Sequence, residues 1–358
     1  MKKSSNTIKK EKIFKLFSQN LEWVKEHPSI RFEPDFSNGY ICPLCFEIFF
    51  EKDLDATLEN HLTLEDIPPK SLGGKPLALT CKKCNSRSGH ELDVHLLNNL
   101  LETDSKQFLP RSRTLATFEL NGNKINGVLA VDEKRGLTLD LQTQRSNPDH
   151  AKKFMSDFIP PRTIYNPIFY PDKMFDNGFK TPTLQIKLNE ISNERRAEIA
   201  LLRVAYLIAY ATLGNGFLIN GGLYKVREQL LNPDKEILPK VFWLKYDFPK
   251  EMEGVNIVTL PKELRCFLII FSLRTKSSSR QFAIVLPGPG EPGIKVYDFI
   301  TKELCTGDGT AFLNIMSEHI LTENYLKDKQ YAFIGSWYWQ EYSKDDYKPR
   351  LGPNDNND

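Results

Sequence analysis

Two Cys-x-x-Cys pairs, Cys42-Pro-Leu-Cys45 and Cys81-Lys-Lys-Cys84, stand 35 residues apart. Each pair can offer two thiolates to one ion, and two pairs joined by a loop can bring four sulfurs tetrahedrally around Zn²⁺. Lys82 and Lys83 beside the second pair favour thiolate over thiol. A structural zinc supplies on the order of 10 kcal/mol or more of folding free energy, so loss of one of these cysteines is expected to unfold the module. Cys266 and Cys305 stand alone. With no secretory leader apparent, the paired cysteines point to metal rather than to disulfides.

The segment between the pairs decides whether zinc frames chemistry or only a scaffold. It reads Leu64-Glu65-Asp66-Ile67-Pro68-Pro69-Lys70-Ser71-Leu72-Gly73-Gly74-Lys75, then Leu79-Thr80-Cys81-Lys82-Lys83-Cys84-Asn85. This resembles the four-cysteine, zinc-containing HNH endonucleases over about residues 40–100. In that family a strand ends in an acid-histidine pair, a loop of the type Ile-x-Pro-x-Ser-x-Gly-Gly follows, and Cys-x-x-Cys-Asn leads into a helix. The resemblance implies a ββα-metal module and metal-dependent hydrolysis of phosphodiester bonds in nucleic acid, DNA rather than RNA. Family members that carry an extra domain resemble restriction or anti-phage defence effectors.

Carried over position by position, the resemblance makes Glu65 the metal-binding acid and Asn85 the second ligand. Both present the hard oxygens that Mg²⁺ or Mn²⁺ takes. The cation would stabilise charge on the scissile phosphate. At the position of the base histidine this chain has Asp66. An unperturbed aspartate titrates near ~3.9, a poor match to neutral pH. Asp66 therefore has three readings: an unusual base, a further metal carboxylate, or the mark of a module that kept its fold and lost cleavage. His90, five residues after Asn85, and His61, four before Glu65, could reach the pocket; each also reads as an exposed or capping side chain, as His95 does. Lys70, Lys75, Lys82, Lys83 and Arg87 gather basic charge suited to a phosphate backbone, or to an ordinary solvated surface.

These residues need elements to hold them. At 358 residues the chain exceeds what one core organises. Residues 1–39 read as a basic helical lead-in, with Ile13, Phe14, Phe17, Leu21 and Val24 at helical spacing. Residues 40–104 form the zinc module, 105–342 a larger mixed α+β domain, and 343–358 a polar tail. Gly89 to Leu101 suggests a helix. Short alternating runs from Thr114 to Leu141, divided by Asn-Gly and Arg-Gly, predict a β-meander. A buried helix is expected from an N-cap at Ser192 to a stop at Gly214. Strands are expected at Val255 to Leu260, Cys266 to Leu273, Phe282 to Leu286 and Ile294 to Phe299. The fold class is thus α+β, with no internal repeat.

Hydrophobic residues at 40% and charged residues at 26% suit a globular chain. A net charge of +2 leaves a nucleic-acid partner to be argued from local charge alone. No membrane span is visible, and the protein reads as cytoplasmic. Two other readings stand beside the nuclease. One is a non-catalytic zinc module binding nucleic acid or a protein partner, the partner engaged through the C-terminal domain. The other is a ligand site on Arg195, Arg196 and Arg203 of the long helix, whose arginines read more readily as solvated.

Overall fold

The candidate site lies where two short hairpins meet two helices. The computed structural model describes residues 4–28, 30–142, 144, 146–158, 183–240, 243–244, 247–288, 295–304, 314–320 and 325–332. Helix α1 (Ser5–Lys25) starts where the Ser4 hydroxyl accepts the Thr7 N–H at 3.2 Å, and it buries Phe14, Phe17, Leu21 and Val24 along one stripe. Strands β1 (Tyr40–Ile41) and β2 (Ile48–Phe49) pair antiparallel, and the turn between them carries Cys42 and Cys45. Strands β3 (Leu62–Ile67) and β4 (Lys75–Cys81) form the second hairpin. Its register shifts between Glu65 and Asp66, where Leu77 is the extra residue of β4. Helix α2 (Lys82–Ser88) follows at once, then a π turn at Gly89–Asp93 and helix α3 (Val94–Lys106). The helix expected from Gly89 is therefore the later part of a longer helical run.

The expected meander is present as β5 (Arg113–Leu120), β6 (Asn123–Val131) and β7 (Leu137–Leu141). Asn121 and Gly122, at φ 48° and 77°, supply the left-handed pair that a two-residue hairpin needs. Strand β8 (Gln185–Leu188) adds a fourth strand against β5. Helix α4 (Pro148–Phe158) covers this sheet, with Ala151 and Phe154 packed among Ala116, Phe118, Leu120, Ile125 and Leu129.

Helix α5 (Glu194–Leu213) is buried on nearly every side and stops at Gly214, at φ +70°. A Cβ at Gly214 would sit 2.5 Å from Asn20 Oδ1, so glycine is required for space as well as for conformation. The Ser192 hydroxyl donates to Glu102 at 2.6 Å. The last sheet is antiparallel and runs in the order β13 (Met316–Ile320), β10 (Gly254–Leu260), β11 (Cys266–Arg274), β12 (Ser279–Pro287), β9 (Trp243–Leu244).

The strand expected at Ile294 to Phe299 is corrected: the described part lies in a helix, Lys295–Leu304. Buried Val296, Tyr297 and Ile300 form one helical stripe, and so short a set of apolar residues reads equally well as strand alternation. Cys305 and the polar tail from Ser343 lie outside the described residues.

Antiparallel sheets and helices make the chain α+β, as expected. It forms two compact units: one holds 1–96, 194–274 and 279–358, the other 97–193 and 275–278. The cysteine-bearing segment therefore shares a unit with α5 and with the sheet around β11. No helix among the described residues is long and apolar enough to cross a membrane.

Candidate metal centre and neighbouring acids

Cys42 leaves β1, Cys45 sits in the following turn, Cys81 ends β4 and Cys84 lies in the first turn of α2. Their sulfurs all lie within 4.8 Å of one another, and Cys45 and Cys81 stand 3.8 Å apart. Four sulfurs held about 2.3 Å from a common ion stand about 3.8 Å apart, so the cluster has the dimensions of a tetrahedral zinc site. That separation also exceeds the ~2.05 Å of a disulfide, and the thiols are free. Backbone N–H groups point at the sulfurs: Cys81 N–H at Cys42 Sγ (3.5 Å) and Cys84 N–H at Cys81 Sγ (3.4 Å). Hydrogen bonding from Cys42, then Cys45 and Cys84, holds Cys81 far below the usual thiol range. The chain thus presents a four-cysteine cluster able to hold a structural metal ion such as zinc.

Three tyrosines fix the first knuckle by satisfying backbone groups that a two-residue strand leaves open. Tyr206 of α5 donates to the Pro43 carbonyl at 2.9 Å, and Tyr210 reaches the Ile41 carbonyl at 3.5 Å. Tyr40 donates to the Leu79 carbonyl at 2.7 Å and accepts the Leu79 N–H at 2.9 Å.

Glu65 points to the interior. It is 4% exposed, and each carboxylate oxygen has a partner: Thr80 Oγ1 donates to Oε2 at 2.6 Å, and Arg203 Nη2 donates to Oε1 at 2.6 Å. The other prong of Arg203, Nη1, donates to Asp93 of the π turn at 3.1 Å. Burial pushes the Asp93 carboxyl up to about 6, against the lowering pull of Arg203. Arg203 is 1% exposed, so it is neither a solvated helix arginine nor open to a ligand from solvent.

Asn85 is held on the same hairpin. Its Nδ2 donates to Thr63 Oγ1 at 2.8 Å and to the Leu64 carbonyl at 3.2 Å. Thr63 spends its own proton on the Thr80 carbonyl, so both groups facing Asn85 are acceptors. This fixes the amide with Nδ2 toward Thr63 and Leu64. Glu65 and Asn85 are joined through the cross-strand pair Thr63 and Thr80. Asp66, next along the strand at the register shift, is half-buried. Among the described residues, the cysteines alone form a group of three or more His, Cys, Asp or Glu whose ligand atoms meet. Glu65 and Asn85 carry the type of hard oxygen that Mg²⁺ or Mn²⁺ takes, but Glu65 is buried with both oxygens already held.

The loop that follows β3 needs its glycines. Gly73 adopts φ +95°, and a Cβ at Gly74 would lie 1.4 Å from the Pro68 carbonyl oxygen. Lys70, Lys75, Lys82 and Lys83 are exposed around this loop and the start of α2. Arg87 is committed instead, to Glu91 at 2.8 Å and to the Leu231 carbonyl at 2.9 Å. His90 is exposed in the π turn, while His61 is half-buried with Nδ1 2.8 Å from the Leu58 carbonyl. His95 is half-buried on α3. Arg195 donates to Gln229 and the Leu238 carbonyl, and Arg196 forks onto Asp234.

Beside the cluster a cavity of about 170 Å³ is lined by Cys45, Cys84, Lys83, Ser88 and Arg203, among others. It is smaller than the roughly 300–1,000 Å³ of small-molecule sites. Sequence reasoning missed Asp93, Thr63 and Thr80, and it assigned Arg203 to solvent. Arg203 did carry a signal: it interrupts the apolar run Ile199 to Tyr210, where a charge must find a partner. Compared with protein-family models, curated proteins and solved structures, the chain matches none.

Proposed function

We propose that the chain is a metal-dependent HNH-type endonuclease that hydrolyses phosphodiester bonds in DNA in preference to RNA. The observation that carries this reading is the Asn85 amide of α2, locked by Thr63 and Leu64 of the hairpin that holds Glu65. In this reading the four cysteines hold a structural Zn²⁺. Glu65 and Asn85 hold Mg²⁺ or Mn²⁺, which when bound would stabilise charge on the scissile phosphate and leaving oxygen. Asp66 takes the proton from the attacking water, whose oxygen bonds to phosphorus as the bond to the leaving sugar oxygen breaks; that oxygen takes a proton from solvent. His90, exposed nearby in sequence, is the alternative proton acceptor. Lys70, Lys75, Lys82 and Lys83 neutralise backbone phosphates along the approach. The preference for DNA and a restriction or defence role follow from the family resemblance. Plasmid and RNA incubated with the protein in Mg²⁺ or Mn²⁺ test the site: Asp66→Ala and Asn85→Ala each lower cleavage by about 100-fold or more. Cleavage that survives both substitutions sinks this assignment.

One observation favours a second reading. Both oxygens of Glu65 are already held, by Arg203 and Thr80, in a buried setting. A module that kept its zinc frame and lost cleavage would bind nucleic acid or a protein partner and cut nothing, whichever metal is supplied.

A further inference from the structure

We propose that Cys45 is a modification site for hydrogen peroxide, and that its oxidation closes a disulfide with Cys81 and expels the ion held by the cluster. This goes beyond the nuclease reading and shares with it only the assignment of the ion as Zn²⁺. The four sulfurs are not equivalent. Cys42 and Cys81 are 0% exposed and Cys84 is 8% exposed, whereas Cys45, in the turn after β1, is half-buried. The cavity of about 170 Å³ is lined by Cys45 and Cys84, with Lys83, Ser88 and Leu231 among its other residues. All of them lie in the unit that holds the cysteines. A water takes about 30 Å³ of liquid volume, so the cavity admits a few water-sized molecules and is too small for most larger ones. Hydrogen peroxide is only slightly larger than water. Among thiolates, oxidation follows exposure, which selects Cys45.

The chemistry balances between two thiolates and one peroxide. The Cys45 sulfur attacks a peroxide oxygen: an S–O bond forms, the O–O bond breaks and hydroxide leaves, giving a sulfenic acid. The Cys81 thiolate, whose sulfur stands 3.8 Å away, then attacks the Cys45 sulfur. An S–S bond forms, the S–O bond breaks and a second hydroxide leaves. The two thiolates give up two electrons, and the peroxide is reduced to two hydroxides. Cys42 and Cys84 remain as two of the four ligands that a structural zinc needs, and the ion departs. A thiol reductant reverses the disulfide by exchange. Because zinc carries much of the module's folding free energy, peroxide dismantles the frame on which any binding or cleavage depends.

The test uses full-length, zinc-loaded protein, its zinc content measured first, with hydrogen peroxide as the probe. A chromogenic chelator reads released zinc, peptide mass spectrometry maps disulfides, and dimedone in a parallel arm traps the sulfenic acid. The expected result is a dimedone adduct on Cys45, a Cys45–Cys81 disulfide formed in step with zinc release, and recovery of zinc binding after dithiothreitol. Cumene hydroperoxide, too bulky for the cavity, releases zinc several-fold more slowly than hydrogen peroxide once both rates are normalised to free cysteine. Leu231→Trp, which fills the cavity, slows release by hydrogen peroxide several-fold at unchanged zinc content. A first adduct on another cysteine, a disulfide without Cys45, or zinc retained under peroxide that oxidises free cysteine overturns the proposal. Equal normalised rates for the two hydroperoxides also overturn it, and that comparison decides the matter on the wild-type protein if Leu231→Trp does not fold. A chain that takes up no zinc overturns this proposal together with the zinc assignment, whereas a zinc-loaded protein that cuts no plasmid overturns the nuclease reading alone.

Discussion

Both compact units bury acids, and they neutralise them differently. In the unit that holds the cysteines, Glu65 and Asp93 share one guanidinium, that of Arg203. In the other, Glu102 accepts the Ile191 and Ser192 N–H groups and the Ser192 hydroxyl, and Asp104 accepts the Thr275 and Ser278 hydroxyls. Neutral donors such as these tie a loop in place at modest cost. A buried guanidinium is a larger commitment, because removing either partner strands a charge. Ion pairs of that second unit, such as Arg111–Glu133 and Lys106–Glu190, lie on its surface instead. A buried guanidinium shared by two acids is thus found in the unit that holds the cysteines, while the buried acids of the other unit meet neutral donors.

The largest expected effect separates the units most sharply. Cys81→Ser, or removal of zinc by a strong chelator, deprives the first unit of on the order of 10 kcal/mol. Amide exchange is expected to collapse over β1 to α2 while β5 and β6 keep their protection. Equal loss in both units would show that the cysteine cluster stabilises the whole chain and that the division into two units has no energetic meaning.

The second effect compares the two kinds of buried acid. Arg203→Met strands Glu65 and Asp93 and costs about 3–5 kcal/mol in denaturant unfolding. Glu102→Gln keeps shape and most hydrogen bonding and costs about 1–3 kcal/mol. Similar costs for the two would mean that the guanidinium contributes no more than neutral donors do.

What could be read from the sequence follows the range of the interaction. The cysteine pairs were legible because two ligands three residues apart state their own chemistry, and the Gly-Gly loop because a left-handed φ and a close carbonyl each exclude side chains locally. The meander was legible from alternation and its Asn-Gly turn. The link from Arg203 to Glu65 and Asp93 was not, since it spans 138 and 110 residues and only the fold brings them together. The Ser192–Glu102 contact shows the same limit on a small scale, since it spans 90 residues. At Lys295–Leu304 the failure was one of period, because too few apolar residues were present to tell helix from strand.

A third effect is pH-dependent and concerns a buried acid whose arginine does not compensate it. Burial pushes Glu198 up to about 7, although Arg195 lies 3.6 Å away. A carboxyl raised in the folded state contributes stability below its unfolded value near ~4.5 and loses it as pH rises through 7. Glu198→Gln, which mimics the protonated form, is therefore expected to be neutral at pH 4.5 and stabilising at pH 8. After solvent screening the gain is on the order of 1–2 kcal/mol. A variant less stable than wild type at pH 8 would show that the pair with Arg195 outweighs desolvation, as at Arg203.

The smallest effect is the control that gives the others meaning. Arg111 and Glu133 approach to 2.8 Å, close enough for a good hydrogen bond, but their side chains are 61% and 74% exposed. Water screens the attraction and two long side chains must be ordered to make it, so Arg111→Ala is expected to change stability by no more than about 0.5 kcal/mol. The distance is comparable to the 2.6 Å of Arg203 and Glu65, so geometry alone does not separate the two pairs. Burial does. If Arg111→Ala cost as much as Arg203→Met, the distinction between an interior charge and a surface charge would fail in this molecule.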